Sequence, residues 1–463
     1  MKTSRRGVAL AVALLMAGTA GAAAESLSDV MVEAWRNSPD LRSQNAQVKI
    51  AGEQAVQARA GGRPQVSGQT SFDLETDDQL NFGNANDPTF PLTLQLSATQ
   101  PIYTGGQVEN QTEAAERRIS VEQAVLTATE QQVLLDAVTA FSDVRRDIFL
   151  VDVAENNVRV LTEQLRAARE RFAVGEVTRT DVEQARARLA GARSRLAAAR
   201  GQLRISRETF ADVVGRPPGD LDAPPPLPDV PEELDAAVRI AAENEPNLMA
   251  ARIEREASGF DVRAAIGRLL PQVSLRAQGS VIEDFRDGQD TSHRASLGIV
   301  VDIPLYSGGA NYSAVRQAQA QVEGSDAQIT NAMREAVRNV GTAWSRLEVA
   351  RASIESGQQE VRAAELAFEG VTEEAKVGAR TTLDVLDAEE EVLQARANLI
   401  TAQRDEYVAA YSLLSAIGKL TVAHLGLEVE ERLDSAGYYA GVRDRYFGYD
   451  QTDETVWSLP YRP

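Results

Sequence analysis

Two acidic side chains stand three residues apart in the stretch "VGARTTLDVLDAEEEV", residues 377–392: Asp384 and Asp387. On a helix they share one face, where like charges repel unless a cation lies among them. Such a pair can attract cations or hold a proton. An earlier stretch, "VGEVTRTDVEQARARL" at 174–189, writes the same turn with one aspartate, Asp181. The second writing doubles the acid.

The rest of the chain narrows that chemistry. There is no cysteine, and the two histidines are His293 and His424. Disulfides, thiol nucleophiles and cysteine–histidine zinc sites are excluded, so any metal chemistry would rest on carboxylates. No phosphate-cradling loop or nucleophile motif is present, and the histidines read as loop and polar surface residues. The acids following Asp387 in "DAEEE", Glu389 to Glu391, read as a solvated helix face. The expectation is a non-enzyme with no cofactor. A formal charge of −20 argues against nucleic acid as a partner.

The elements that position these acids come in pairs. Residues 1–24 read as a signal peptide: Lys2, Arg5 and Arg6 form the basic region, Val8 to Met16 the apolar core. Cleavage would take the charge from −20 to −23. With no cysteine in the chain, N-terminal lipidation is excluded. Beyond the signal, "NSPDL" at 37–41 recurs as "NEPNL" at 244–248, and "RPQVS" at 63–67 as "LPQVS" at 270–274. "QPIYTGGQ" at 100–107 recurs as "IPLYSGGA" at 303–310, and "VGEVTRTDV" at 174–182 as "VGARTTLDV" at 377–385. The first two matches are offset by 207 and the last two by 203. The slip falls where "TDDQLNFGNANDPTF" (76–90) faces the shorter "DFRDGQDTSH" (284–293), two polar turn segments that tolerate length changes. The chain is a tandem duplication, with repeats at 25–214 and 234–418. A proline-rich linker, 215–233, joins them, and a tail, 419–463, follows.

Each repeat opens with a helix and continues with a strand pair, within 65–103 and 271–306. Val66, Gly68, Thr70, Phe72 and Leu74 alternate with polar residues, as do Leu92, Leu94, Leu96 and Ala98. Ala295, Leu297, Ile299, Val301 and Ile303 repeat the pattern. Period two with one apolar face describes a half-buried strand, and equally a strand that faces lipid. No later segment supplies the ~20 apolar residues of a spanning helix, so membrane entry would need strands. The remainder reads as long helical hairpins, 107–213 and 309–417. A coiled-coil seam runs through Val138, Phe141, Val144, Ile148, Val151, Val158, Leu161, Leu165, Ala168 and Phe172. Its second copy reads Val337, Trp344, Leu347, Ile354, Val361, Ala364, Phe368, Val371. Gly175 and Gly378 suit the left-handed position that ends a helix, and Thr180 and Thr381 suit the caps that start the next.

With four strands, two hairpins and these turn repeats in place, the sequence closely resembles the TolC family of outer-membrane efflux and secretion ducts, over about 27–425. The resemblance implies a mainly α chain with membrane β. Three copies would form a homotrimeric 12-stranded β-barrel, four strands per protomer, continued by a long α-helical barrel through the periplasm. It implies outer-membrane lipid, a periplasmic adaptor protein and, through it, an inner-membrane transporter as partners. It implies that the hairpin turns form the periplasmic mouth and the adaptor's docking points, Gly175 and Gly378 among them. By the same resemblance Asp384 and Asp387 ring the constriction, where multivalent cations would block, and Arg380 tethers the inner hairpin to Thr180 and Asp181. These ring carboxylates would titrate above ~4 through mutual repulsion. One departure stands out: the family's aromatic before the turn is Ala375 here. The tail, including "GYYAGVRDRYFGYD", falls outside the match, and is expected to pack at the barrel's waist or lack order. The competing reading is a periplasmic coiled-coil adaptor subunit, which would lack the duplication and the strand pairs.

Overall fold

The structure is a computed structural model, and it describes residues 25–73, 91–284, 291–429 and 435–448. The expected signal peptide, the polar segment 76–90 and the end of the tail lie outside them. In chain order the elements are α1 (Leu27–Asn37), α2 (Pro39–Ala60), β1 (Gln65–Phe72), β2 (Pro91–Tyr103), α3 (Gln107–Ala173) and α4 (Arg179–Val214). They continue with α5 (Leu234–Asn244), α6 (Pro246–Gly267), β3 (Gln272–Asp284), β4 (Ser292–Asp302), α7 (Ala310–Lys376), α8 (Thr382–Ala416) and α9 (Ser435–Val442). The fold is mainly helical with four strands in one sheet, as the sequence predicts. The order of the first six elements is repeated by the next six.

One compact unit holds the residues up to Asn37, with Asp136–Pro228 and Ala350–Val408. Its apolar centre is Leu161, Leu165 and Ala168 of α3 against Ala185, Leu189 and Ala192 of α4, joined by Leu386 of α8. Each helix offers the four-then-three spacing of a coiled-coil seam, narrow enough for alanine to fill. Asp147 of α3 is also buried in this unit, where Arg146 Nε and Ser206 Oγ satisfy its carboxylate, donating at 2.8 and 2.5 Å. Arg404 reaches across from α8 to Asp143 of α3 at 2.7 Å. Arg216, in the linker, is tied to Glu25 and Glu33, which fixes where α4 gives way to irregular chain.

The other unit holds Ser38–Leu135, Asp229–Val349 and Ala409 onward. Its antiparallel sheet runs β1-β2-β3-β4. The register lines Val66, Ala98, Ala277 and Leu297 in one row and Gly68, Leu96, Gly279 and Ala295 in the next. The alternate rows are polar: Ser67, Ser97, Gln278 and Ser296, then Gln69, Gln95, Ser280 and Arg294. In these rows one face is apolar across all four strands and the other carries hydroxyls, amides and guanidinium; nearer the other end of the sheet the first face also takes His293 and Glu283. Among the described residues, strands β1 and β4 have no neighbour on their outer sides. Where strands give way to helices, Gly105 approaches Gly267 so closely that a Cβ would meet the Gly267 carbonyl oxygen at 2.5 Å.

Three details correct the sequence reading. The buried stripe of α7 is Ala336, Val340, Ala343, Leu347 and Ala350, which keeps the expected Leu347 but takes Ala336 and Ala343 in place of Val337, which is exposed, and Trp344, which is half-buried. His293 belongs to β4, opposite Val281, and not to a loop. The cap of α4 is Thr178, not Thr180.

Candidate functional site at the hairpin turns

Both long helices end in the same way. Gly175 (φ 84°) and Gly378 (φ 82°) adopt the left-handed conformation. Glu176 N donates to Arg171 O and Gly175 N to Phe172 O, at 2.9 and 3.0 Å. Ala379 N and Gly378 N repeat this with Glu374 O and Ala375 O, at 2.9 and 3.1 Å. These paired bonds satisfy the last carbonyls of α3 and α7 with a Schellman motif. No heavy atom lies within 4 Å of where either glycine's Cβ would be, so backbone geometry alone demands glycine.

The return helices start alike too. Thr178 Oγ1 accepts from Asp181 N, and the Asp181 carboxylate accepts from Thr178 N at 2.8 Å. In the second copy, Thr381 Oγ1 accepts from Asp384 N and the Asp384 carboxylate accepts from Thr381 N at 2.9 Å. The motif is a reciprocal capping box with aspartate in the third position. Thr178 and Asp181 lie 203 residues before Thr381 and Asp384, so the four are true counterparts. Thr180 is an exposed first-turn residue. The bonds from Thr381, aided by the charge of Arg380, hold the Asp384 carboxyl below its ordinary range. Within a protomer this reverses the expected upward shift.

Arg380 Nε donates to Glu374 Oε2 at 2.8 Å, within its own hairpin. In the protomer it is partnered by neither Thr180 nor Asp181. Asp387 has a different partner. Arg188 of α4 donates from Nη2 to Asp387 Oδ1 at 2.5 Å and from Nη1 to Glu390 Oε2 at 2.7 Å. Arg195 donates to the other oxygen of Glu390 at 2.6 Å. Two arginines from the first repeat thus clasp two acids from the second, beside the Leu386 contact with α3 and α4. At the 203-residue offset Asp387 and Glu390 correspond to Gln184 and Ala187, and Arg188 and Arg195 to Glu391 and Asn398. The repeats have diverged into complementary charge. The second acid, Asp387, faces an arginine of the first copy.

Glu389 and Glu390 do not lie on the expected solvated face: Glu390 is doubly paired, and Glu389 is 7 % exposed, with Oε2 buried and lacking a hydrogen-bond partner among the described residues. Burial pushes the Glu389 carboxyl up to about 7. Its folded value lies above the unfolded one, so its contribution is most favourable below about pH 4.5 and is lost as pH rises through 7. Discounted for partial solvation, the loss is about 1–2 kcal/mol. Glu389→Gln should remove this decline: comparing unfolding midpoints at pH 5 and pH 8, the variant should gain on the unmodified chain only at pH 8. Parallel pH profiles would show that Glu389 ionises freely in the fold. The signal for these residues was the 203 offset, which aligns Thr178 with Thr381 and exposes the charge complementarity.

Comparison with known proteins places this geometry in context. The profile of the outer membrane efflux protein family matches residues 30–216 and 237–419. The chain is 33 % identical over 453 residues to the outer membrane efflux protein BepC of Brucella suis biovar 1 (strain 1330), covering 96 % of this chain and 97 % of that one. It is 25 % identical over 412 residues to the outer membrane protein TolC of Escherichia coli (strain K12), covering 86 % and 83 %. The fold is similar to the Campylobacter jejuni CmeC outer membrane channel, with a TM-score of 0.77 at 16 % identity over 90 % of each chain.

Proposed function

The chain belongs to the outer membrane efflux protein family, and on that footing we propose that three copies assemble into one passive exit duct from periplasm to exterior. It is an outer-membrane channel of the efflux and type I secretion class, not an enzyme, with its helical barrel in the periplasm. The observation that carries the assembly is the sheet: apolar rows that run across all four strands and, among the described residues, two unpaired edges. In lipid each unpaired backbone group costs several kcal/mol, so four strands alone cannot stay open-edged, whereas twelve close into a barrel. The apolar rows then face lipid and the polar rows face the lumen. A periplasmic adaptor would have no use for such a face. The expected result is a detergent-stable homotrimer extracted from outer-membrane fractions. A monodisperse monomer without detergent would overturn it.

The two glycine turns serve as docking points for a periplasmic adaptor that links the duct to an inner-membrane transporter. Their surroundings are open, so a side chain there disturbs the turn and little else. Gly175→Val with Gly378→Val forces a β-branched residue into the left-handed region, at roughly 1–2 kcal/mol per site. Export should fall to background while trimers and outer-membrane levels stay normal. Undiminished export would place the adaptor contact elsewhere.

At the mouth, Asp384 and Asp387 form the ring that meets cations. Arg380, held at the turn by Glu374, is the tether toward Thr180 and Asp181. Ala375 contributes only its carbonyl to the turn, so closure here relies on charge where an aromatic is absent.

A further inference from the structure

The family match ends at residue 419, yet part of the tail beyond it is built into the fold. Helix α9 lies along α2. The Tyr438 hydroxyl donates to Glu53 at 2.8 Å, with Lys49 Nζ 5.7 Å from the centre of its ring. The Tyr439 hydroxyl donates to Glu116 of α3 at 2.6 Å. Further on, Asp444 faces Arg59 at 3.8 Å. Arg63 then donates to the carbonyls of Arg443 and Arg445, at 2.6 and 3.3 Å, and its guanidinium lies 4.4 Å from the Tyr446 ring centre. As the tail advances from Tyr438 to Tyr446, its partners advance from Lys49 to Arg63. Pro64 and the first residue of β1 come next. The tail is led to the point where the chain enters the sheet.

What it delivers there is apolar and uncovered. Tyr446 is 66 % exposed and Phe447 93 %. Strand ends at the same end of the sheet carry more of the same: Ile102 and Tyr103 finish β2, and Leu305 and Tyr306 follow β4, all exposed. A cluster of exposed rings beside guanidinium groups is unfavourable in water. It is well matched to the boundary between phospholipid headgroups and acyl chains, where tyrosine rings sit and arginines meet phosphates.

We propose that residues 443–448 are an interfacial membrane anchor. Tyr446 and Phe447 lie at the headgroup level of the leaflet nearest the helices, and Arg443, whose Nε donates to Asp444 at 3.2 Å, meets lipid phosphate with the rest of its guanidinium. The occupant of this patch is phospholipid because the patch continues the rim of the apolar sheet face, at the chain's own point of entry into the bilayer. The anchor rests on the outer-membrane reading of the sheet. It gives the tail a purpose independent of cargo: fixing how deep the barrel sits.

Phe447→Trp tests this in trimers reconstituted into phosphatidylethanolamine–phosphatidylglycerol vesicles, with the unmodified chain subtracted for its own tryptophans. Lipid brominated near the headgroup end of its acyl chains should quench the added emission by about half, since an interfacial ring lies within roughly 5–10 Å of that depth. Lipid brominated near the chain ends should quench it less. Arg63→Gln in the same background should cut the quenching at least twofold by freeing the tail. Equal emission in brominated and plain lipid would overturn the proposal: red-shifted emission would place residue 447 in water, blue-shifted emission against a second copy of the chain. Quenching unaffected by Arg63→Gln would overturn the part given to Arg63 in placing the tail. Ion conduction by the same vesicles reports separately on the duct itself, so loss of the anchor and loss of the channel are distinguishable.

Discussion

Arg188→Glu should raise the resting open fraction of the channel about a hundredfold. The clasp joins the return helices of the two hairpins through Arg188 and Arg195 on one side and Asp387 and Glu390 on the other. Each of these half-exposed pairs is worth roughly 0.2–1 kcal/mol. The substitution removes two pairs and sets a third acid against the two already there, a change of about 1 kcal/mol per copy. If the three copies open together, the sum is about 3 kcal/mol, and every 1.4 kcal/mol is a factor of ten. Arg188→Gln should have a smaller effect in the same direction. Arg188→Glu with Asp387→Arg should recover part of the closed state. Conductance at rest in planar bilayers is the measurement, with trimer content as the control. A resting conductance unchanged in the reversed variant would mean that the clasp holds the hairpin together without governing the mouth.

Multivalent cations added from the periplasmic side should block the pore, and Asp384→Ala with Asp387→Ala should weaken that block tenfold or more, by about the loss of six converging carboxylates. The two acids are not equivalent. Asp384 is bonded by Thr381 and held below its ordinary range, so it stays charged as pH falls. Asp387 shares Arg188 with Glu390. Asp384→Ala alone should therefore remove more of the block than Asp387→Ala alone. Arg188→Gln, by freeing Asp387 and leaving Glu390 to Arg195 alone, should tighten it. Lowering the pH from 7 to 5 should leave most of the block in place, because a carboxyl with a depressed value protonates only below the ordinary range. Block affinity that is indifferent to both aspartates would reduce them to a helix cap and a clasp.

Local signals made much of this architecture readable. The alternation from Val66 to Phe72 reports a strand because successive side chains take opposite faces, and the register extends that alternation into an apolar face over four strands. Gly175 and Gly378 were legible for a similar reason, since a left-handed turn admits few other residues. The site was less so. Thr180 suits a cap by its type, and only the hydrogen bond from Asp181 N shows that Thr178 takes that place. The clasp joins residues some 200 positions apart, and nothing local to Arg188 says which acids it will meet. Glu389 shows the limit most clearly: its neighbours in "DAEEE" are chemically alike, and only the rotation of α8 decides which carboxylate turns inward.

Helices α3 and α7 are each 67 residues long, and α4 and α8 differ by one residue, 36 against 35. Length is thus a quantity the two halves hold in common, like two legs of a ladder that must be cut together. Removing seven residues from both arms of one hairpin would preserve its seam but retract its tip by about 10.5 Å. Arg188 would then face a part of α8 without Asp387 or Glu390. The same excision made in both hairpins would leave every rung opposite its partner. Such a duct can be shortened or lengthened only by matched edits, so a change in reach is accessible to a lineage only when both halves accept it.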